Sequence, residues 1–176
     1  MLLNATLSLL LMQQAPAENV DWDAEFGVEE VERDPATGEI PVEPYEQKNE
    51  NAGAKPFTGT DMAETFGGRD GIRQIAERFV EINFADPRIQ GIFAGHDEVR
   101  LRRTIFEQFC YILNAGCDYT GRDMKSSHEG LGSRKADLNA IVENLQQAMR
   151  EQDVPFAAQN RFLSKLAPMS RDVINR

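Results

Sequence analysis

The segment from Tyr119 to Gly132 carries the side chain with the clearest chemical potential in the chain, the imidazole of His128. The segment reads YTGRDMKSSHEGLG and lies between two amphipathic stretches, and the chain has only two histidines. A neutral imidazole can supply one strong nitrogen ligand to a metal, such as the iron of a porphyrin, without leaving a buried charge. A single histidine beside a loop is also commonly solvated or hydrogen-bonded. The surroundings of His128 must decide between these two interpretations.

Apolar residues at helical spacing predict long amphipathic helices on both sides of His128. Asp70, Asp97 and Ser133 are placed to cap three of them, and a fourth begins at Pro155. The apolar stripes are Ile72, Ile75, Ala76, Phe79 and Ile82; Leu101, Ile105, Phe109 and Ile112; Leu138, Ile141, Val142, Leu145 and Met149; and Phe156, Phe162, Leu163 and Leu166. No segment alternates with a period of two for long enough to form a sheet. The predicted fold class is therefore all-α, a helical sandwich in which four long helices face one another.

The first seventeen residues have the composition of a weak secretory signal peptide. They contain no charged side chain, an apolar run from Leu7 to Met12, and the small-residue sequence APA at 15–17. This pattern predicts export to the periplasm or the medium, and without a functional signal the chain would be cytoplasmic. A spanning helix needs about twenty apolar residues, so the short run predicts no stable membrane span.

Acidic residues are concentrated in the segment that follows, residues 18–57. Between Glu18 and Ala52, twelve acidic residues stand against Arg33 and Lys48, and this surplus equals the net charge of −10 of the whole chain. Pro35, Pro41 and Pro44 lie in this segment, which shows no sustained periodicity, so we predict a disordered acidic extension before a folded domain at 58–176. Residues 53–176 carry equal numbers of positive and negative charges. That balance argues against nucleic-acid binding, because phosphate contacts require a basic surplus.

Cys110 and Cys117 are predicted to be free thiols. On one continuous helix their separation corresponds to a rise of roughly 10 Å, which is beyond the reach of a disulfide. Two cysteines also give no spacing typical of a zinc site. Cys110 is expected to pack as a small apolar side chain.

Several short sequences between residues 62 and 173 resemble the truncated haemoglobins, group I in particular. In chain order they are ETFGGRDGI at 64–72, FADPRI at 84–89, IFAG at 92–95, YTGRDMK at 119–125 followed by HEGLG at 128–132, VPF at 154–156 and LAPM at 166–169. The resemblance implies a truncated globin-like two-over-two sandwich of the B, E, G and H helices. The first helix would be nearly absent and the proximal helix reduced to a loop. It also implies that the domain at 58–176 binds haem b.

The same resemblance assigns roles to individual residues. His128 would be the proximal iron ligand, and Phe93 would lie against the porphyrin face. Val80 falls at the distal position of the B helix, and Leu101 and Ile105 fall at the two distal positions of the E helix. Further haem contacts are expected from Phe109, Met124, Leu138 and Ile141, each of which could equally be a core side chain.

The distal positions depart from the common group I pattern. Members of the group commonly carry a tyrosine and a glutamine there, which donate hydrogen bonds to dioxygen, whereas Val80, Leu101 and Ile105 cannot donate. A neutral hydrogen bond contributes roughly 0.5 to 1.5 kcal/mol. The absence of two donors predicts that dioxygen dissociates about tenfold faster or more, while carbon monoxide and nitric oxide are less affected.

Other polar residues near these positions have two interpretations each. His96 is either a solvent-facing residue at the start of the E helix or a distal donor and sixth ligand. Arg100, Arg102 and Arg103 either pair with haem propionates or form a solvated helix face.

Together these observations predict a haem-binding globin that reversibly binds oxygen, carbon monoxide or nitric oxide through a His-ligated iron, in oxygen transport, scavenging or sensing. An electron-donating reductase is a candidate partner. Two alternatives stay open: a haem-dependent redox enzyme, either a nitric oxide dioxygenase or peroxidase-like, and a haem-free helical interaction domain. Because no distal acid–base group is present, we expect a ligand-binding protein rather than a dedicated enzyme.

Overall fold

Helices account for all the regular structure in the described part of the chain. The computed structural model describes residues 31–176, so the candidate signal peptide and residues 18–30 of the acidic extension lie outside the described residues. The helices are α1 (Asp61–Thr65), α2 (Gly68–Ala85), α3 (Gln90–Phe93), α4 (Glu98–Ile112), α5 (Met124–His128), α6 (Lys135–Glu151), α7 (Phe156–Leu166) and α8 (Ser170–Val173), with 3-10 helices at Asn49–Ala52 and Ala167–Met169. No strand occurs between residues 31 and 176, and the all-α prediction is confirmed. None of these helices is long and apolar enough to cross a membrane.

The four long helices α2, α4, α6 and α7 enclose the core. Helix α2 packs against both α4 and α6, and α6 packs against α7. The ring of Phe109 lies 5.8 Å from that of Phe79 and 5.1 Å from that of Phe162, measured between centroids. Three long helices therefore meet at one aromatic cluster, in which each favourable ring pair adds about 0.5 to 1.5 kcal/mol beyond the burial of apolar area.

The helix starts agree with the sequence prediction only in part. Asp97 caps α4 as expected, because its side chain accepts a hydrogen bond from the N–H of Val99. Asp70 lies inside the first turn of α2 rather than at its cap, since the chain turns earlier at Gly67, which has a φ of 78°. Ser133 precedes α6 without capping it, and its hydroxyl donates to a backbone carbonyl near the C-terminus instead.

Cys110 and Cys117 form a disulfide, so the prediction of two free thiols is wrong. Helix α4 ends at Ile112, and the chain then reverses through Asn114 and Gly116, whose φ values of 62° and 78° are left-handed. This turn brings the Cα atoms of the two cysteines to 5.6 Å. The prediction assumed one continuous helix across both residues, whereas the helix ends between them.

Residues 33–57, which we call the strap, pack against the helices, and the predicted disordered extension is wrong for this segment. Residues Arg33–Arg176 form one compact unit, which includes the strap. Ala52 is 0% exposed and Glu39 is 5% exposed, and the carbonyl of Ala52 accepts a hydrogen bond from Nε2 of Gln108 at 2.9 Å. The strap is held by isolated anchors such as these. Isolated anchors leave no periodic pattern in the sequence, which is why composition alone indicated disorder.

Candidate functional site

His128 lies at the end of α5, and its ring is oriented by its own helix. The helix begins after Asp123, whose side chain accepts a hydrogen bond from the N–H of Ser126 at 3.0 Å. Nδ1 of His128 lies 2.7 Å from the carbonyl oxygen of Met124. Because a carbonyl only accepts, Nδ1 is the donor in this hydrogen bond, and Nε2 is the nitrogen left to bind a metal. A half-buried imidazole whose second nitrogen is fixed in this way suits a single metal bond.

The loop after His128 is held at both ends by the C-terminal segment. Nδ2 of Asn175 donates to the carbonyl of His128 at 2.5 Å, and the backbone N–H of Asn175 donates to the carbonyl of Ser133 at 3.1 Å. The hydroxyl of Ser133 in turn donates to the carbonyl of Val173 at 2.5 Å. These contacts restrict the backbone that carries the imidazole. Sequence reasoning missed both Asn175 and Ser133 in this role, since neither lies in a motif.

Met124 connects α5 to the core and to the strap. Its Sδ lies 3.3 Å from Nε2 of the buried Gln108, which also binds the strap at Ala52. A Cβ at Gly53, where φ is 79°, would lie only 2.9 Å from Cγ of Met124. Of the two interpretations given for Met124, the structure supports the core contact, and haem contact stays a prediction.

Apolar side chains of α3, α4 and α6 are left half-buried by the protein. They are Phe93, Leu101, Ile105, Leu138 and Ile141. The ring of Phe93 lies 5.5 Å from that of Phe84 on α2, and Ile105 and Ile141 pack at the edge of the core. These five residues share a partial exposure, so each keeps some apolar surface that the protein does not cover. All five were expected to contact haem.

Val80 and Phe109, by contrast, are fully enclosed by protein. Val80 is 0% exposed and Phe109 is 3% exposed. Phe109 lies in the aromatic cluster between Phe79 and Phe162, so its demonstrated role is core packing. Its contact with haem, like that of Val80, stays a prediction.

The polar side chains near the predicted distal positions either form a hydrogen bond within their own helix or are exposed to solvent. The hydroxyl of Thr104 donates to the carbonyl of Arg100 at 3.0 Å, within its own helix. His96 is exposed, and its backbone N–H donates to the carbonyl of Phe93 at 3.0 Å. The exposure of His96 agrees with its solvent-facing interpretation.

The three arginines of α4 are paired with carboxylates of the chain itself. The ion pairs are Arg100–Glu39, Arg102–Glu98, Arg103–Glu39 and Arg103–Glu107. The hydrogen bond to Glu39 raises the pKa of Arg103, and burial only partly offsets this effect. Because internal carboxylates already occupy these guanidinium groups, the structure favours a structural role over propionate binding.

Comparison with known proteins identifies the family. Residues 61–175 match the bacterial-like globin family. The chain belongs to that family. The globin is similar to the group 1 truncated haemoglobin GlbN of Mycolicibacterium paratuberculosis, with 26% identity over 62% of this chain and 81% of that protein. It is also similar to GlbN of Nostoc commune, with 24% identity over 65% of this chain and 98% of that protein. The predicted resemblance to group I truncated haemoglobins is confirmed.

Solved structures establish the arrangement of the helices in this globin. The Fe(III) form of the truncated haemoglobin of Tetrahymena pyriformis matches with a TM-score of 0.62 and 22% identity, covering 65% of this chain and 98% of that chain. The 2/2 haemoglobin of Synechococcus, solved in the cyanomet state with covalently attached haem, matches with a TM-score of 0.60, 23% identity and the same coverage. These similarities confirm the predicted two-over-two globin fold. The strap precedes the region that matches the family.

Proposed function

We propose that this globin binds haem b through Nε2 of His128 and binds oxygen, carbon monoxide or nitric oxide reversibly. Membership of the globin family supports haem binding. The observation that carries the assignment to His128 is the 2.7 Å hydrogen bond from its Nδ1 to the carbonyl of Met124, which leaves Nε2 as the free nitrogen. When bound, haem supplies an iron with a further coordination position that a diatomic gas can occupy.

The residues present fit the requirements of such a cofactor. His128 would provide the axial nitrogen, and donation from Nδ1 to a carbonyl fixes the tautomer and increases the basicity of Nε2. The half-buried residues Phe93, Leu101, Ile105, Leu138 and Ile141 would cover the porphyrin. Burial of their exposed apolar surface would stabilise the complex by about 25 cal/mol per Å².

The apolar character of the distal positions supports gas binding over redox catalysis. Val80, Leu101 and Ile105 offer no hydrogen-bond donor and no titratable group, and the hydroxyl of Thr104 is bonded to its own helix. Peroxide cleavage requires a positioned distal acid or base. These positions instead exclude water and leave a gas molecule with van der Waals contacts.

Absorption spectroscopy of the full chain supplied with hemin tests the proposal. We expect the wild type to show a Soret band and to form a ferrous carbonyl complex. His128→Ala should lose this coordination, and His128→Gly should regain it when free imidazole is added, because imidazole can fill the space of the missing ring. His96→Ala is the matched control and should leave the spectra unchanged.

Three results would change the assignment. No Soret band in the wild type would favour the haem-free interaction domain, and an unchanged spectrum in His128→Ala would remove that residue as the ligand. Strong paired bands in the ferrous ligand-free spectrum that disappear in His96→Ala would make His96 a sixth ligand. Export and a reductase partner stay predictions that this experiment does not address.

A further inference from the structure

A cavity of about 500 Å³ opens beside the disulfide between Cys110 and Cys117. Cys117 is half-buried and lines the cavity, together with residues of α2 and α4. Cys110 is 0% exposed and belongs to the core. Of the two cysteines, Cys117 is therefore the one that a small molecule in the cavity can contact, whereas Cys110 is enclosed by the core.

Four arginines line this cavity, namely Arg69, Arg73, Arg102 and Arg103. Arg102 and Arg103 form the ion pairs described above. In the described part of the chain, Arg69 and Arg73 form no ion pair within 4.0 Å. The guanidinium of Arg73 is held over the ring of Phe106, 3.8 Å from its centroid, so it is fixed in the cavity wall.

Acidic residues of the same wall are in the minority. Glu77, Glu107 and Asp118 also line the cavity, which gives three negative charges against four positive charges. Glu107 is paired with Arg103, and Asp118 accepts a hydrogen bond from Asn49 at 3.0 Å. The two unpaired guanidinium groups are therefore the distinctive feature of the wall, and a guanidinium binds a carboxylate through two parallel hydrogen bonds.

We propose that this cavity is a thiol–disulfide exchange site that takes a small thiol bearing carboxylate groups. The thiolate sulfur attacks Sγ of Cys117, and the Cys110–Cys117 bond breaks with its electron pair leaving on Sγ of Cys110, which then takes a proton from water. A mixed disulfide remains on Cys117. A second thiolate attacks the small-molecule sulfur of this mixed disulfide and releases the Cys117 thiolate. Two small thiols are thereby oxidised to one disulfide, and the protein disulfide is reduced by two electrons.

The test compares the rates at which different thiols reduce the disulfide of the full chain. Glutathione carries carboxylates, whereas 2-mercaptoethanol is neutral. Each rate is divided by the rate at which the same thiol reduces 2-hydroxyethyl disulfide, which corrects for differences in nucleophilicity. The net charge of −10 would by itself make glutathione the slower reagent. The proposal predicts the opposite, a corrected ratio of glutathione to 2-mercaptoethanol above one. Mass spectrometry after alkylation counts the new thiols and locates the mixed disulfide.

Substitution of the unpaired arginines isolates the contribution of the cavity. The double variant Arg69→Gln with Arg73→Gln should lower the corrected ratio about fivefold, the effect of one exposed guanidinium–carboxylate pair. Arg150→Gln changes an exposed arginine that does not line the cavity and should leave the ratio nearly unchanged. Added salt gives a second measurement on the wild type. Salt should lower the ratio if the cavity attracts glutathione, and raise it if only the net charge acts.

Several results would overturn the proposal. A chain that keeps two free thiols after exposure to air has no disulfide to exchange. A ratio that the double variant does not change, or that rises with salt, shows that the arginines do not select the thiol. A mixed disulfide found on Cys110 shows attack from another side. The experiment measures the mass of the alkylated chain rather than its absorption spectrum, so the result does not depend on haem binding.

Discussion

Two uncharged hydrogen bonds fix the position of His128. Its Nδ1 donates to the carbonyl of Met124 within α5, and its own carbonyl accepts from the side chain of Asn175. A carbonyl acceptor orients the ring without placing a negative charge beside it, and it leaves Nε2 as the nitrogen that can bind a metal. In the proposed complex, Leu101 and Ile105 would offer no polar group to a bound gas. We therefore expect substitution at one of these two positions to have the most direct effect on gas retention.

Leu101→Gln should slow dioxygen dissociation by about two- to tenfold, because a side-chain amide can donate a hydrogen bond worth roughly 0.5 to 1.5 kcal/mol. Stopped-flow displacement of dioxygen by carbon monoxide measures this rate. Leu101→Met is the matched control, since it keeps the volume without adding a donor. Equal dissociation rates in the two variants would contradict an apolar distal pocket around residue 101.

Aspartate residues cap α4, which carries Leu101 and Ile105, and α5, which carries His128. Asp97 caps α4, and Asp123 caps α5. Burial raises the pKa of Asp97, whereas hydrogen bonds from Arg33 and from the N–H of Ile40 lower it. The lowering effects together are larger, so the pKa lies below the ordinary value of 3.8. Hydrogen bonds from Ser126 lower the pKa of Asp123. Both caps are therefore strongest when they are ionised.

These lowered pKa values predict a loss of stability in acid. A carboxylate whose pKa is lower in the folded state contributes stability that is complete above its unfolded pKa and is lost as pH falls through the folded pKa. The free energy of unfolding in urea should therefore fall between about pH 5 and about pH 3. Asp97→Asn keeps a capping side chain and removes the titrating group, so this decrease should become smaller. The same decrease in the variant and the wild type would show that Asp97 does not contribute.

The contact between α8 and the loop after His128 should contribute measurably to the free energy of unfolding. Ser133→Ala removes a buried hydroxyl and leaves the carbonyl of Val173 without its donor, at a cost of about 1 to 3 kcal/mol. Ser164→Ala removes an exposed hydroxyl bonded to its own helix and should change the free energy of unfolding by less than about 0.5 kcal/mol. Denaturant unfolding distinguishes the two variants, and equal effects would mean that the loop is not held by this bond.

At the scale of the whole molecule, the strap joins α4 to the loop that leads to α5. The hydroxyl of Tyr45 donates to the carbonyl of Thr120 at 3.0 Å, and Nδ2 of Asn51 donates to the carbonyl of Gly121 at 3.2 Å. Glu39 binds two arginines of α4 from the same segment. The strap thus connects α4, which carries Leu101 and Ile105, to the loop before His128, whereas a disordered extension would connect neither.

Glu39→Gln should lower the free energy of unfolding by about 1 to 3 kcal/mol, because it weakens charge-assisted hydrogen bonds to two partly buried guanidinium groups. Glu46→Gln is the matched control within the strap. Its side chain is 77% exposed, and its pair with Lys48 should contribute less than about 1 kcal/mol. Urea unfolding of both full-length variants compares them. A Glu39→Gln variant as stable as Glu46→Gln would show that the strap does not stabilise the domain.

Four properties of this protein follow from its amino-acid sequence alone: the helical class, the four long helices, the family resemblance and the candidate ligand His128. These properties depend on local patterns: apolar residues at helical spacing, aspartate at a helix start, and short motifs in a fixed order. The half-buried state of the five expected haem-contact residues is consistent with this assignment.

The disulfide, the packing of the strap and the partners of the α4 arginines became evident in the three-dimensional structure and not in the sequence. Cys110 and Cys117 meet because the helix ends between them and the chain reverses. Glu39 is buried because arginines far along the chain neutralise it, although composition indicated disorder there. Each of these features depends on a contact between residues whose neighbours in sequence show no pattern. Such a contact forms only after the helices have brought the two partners together.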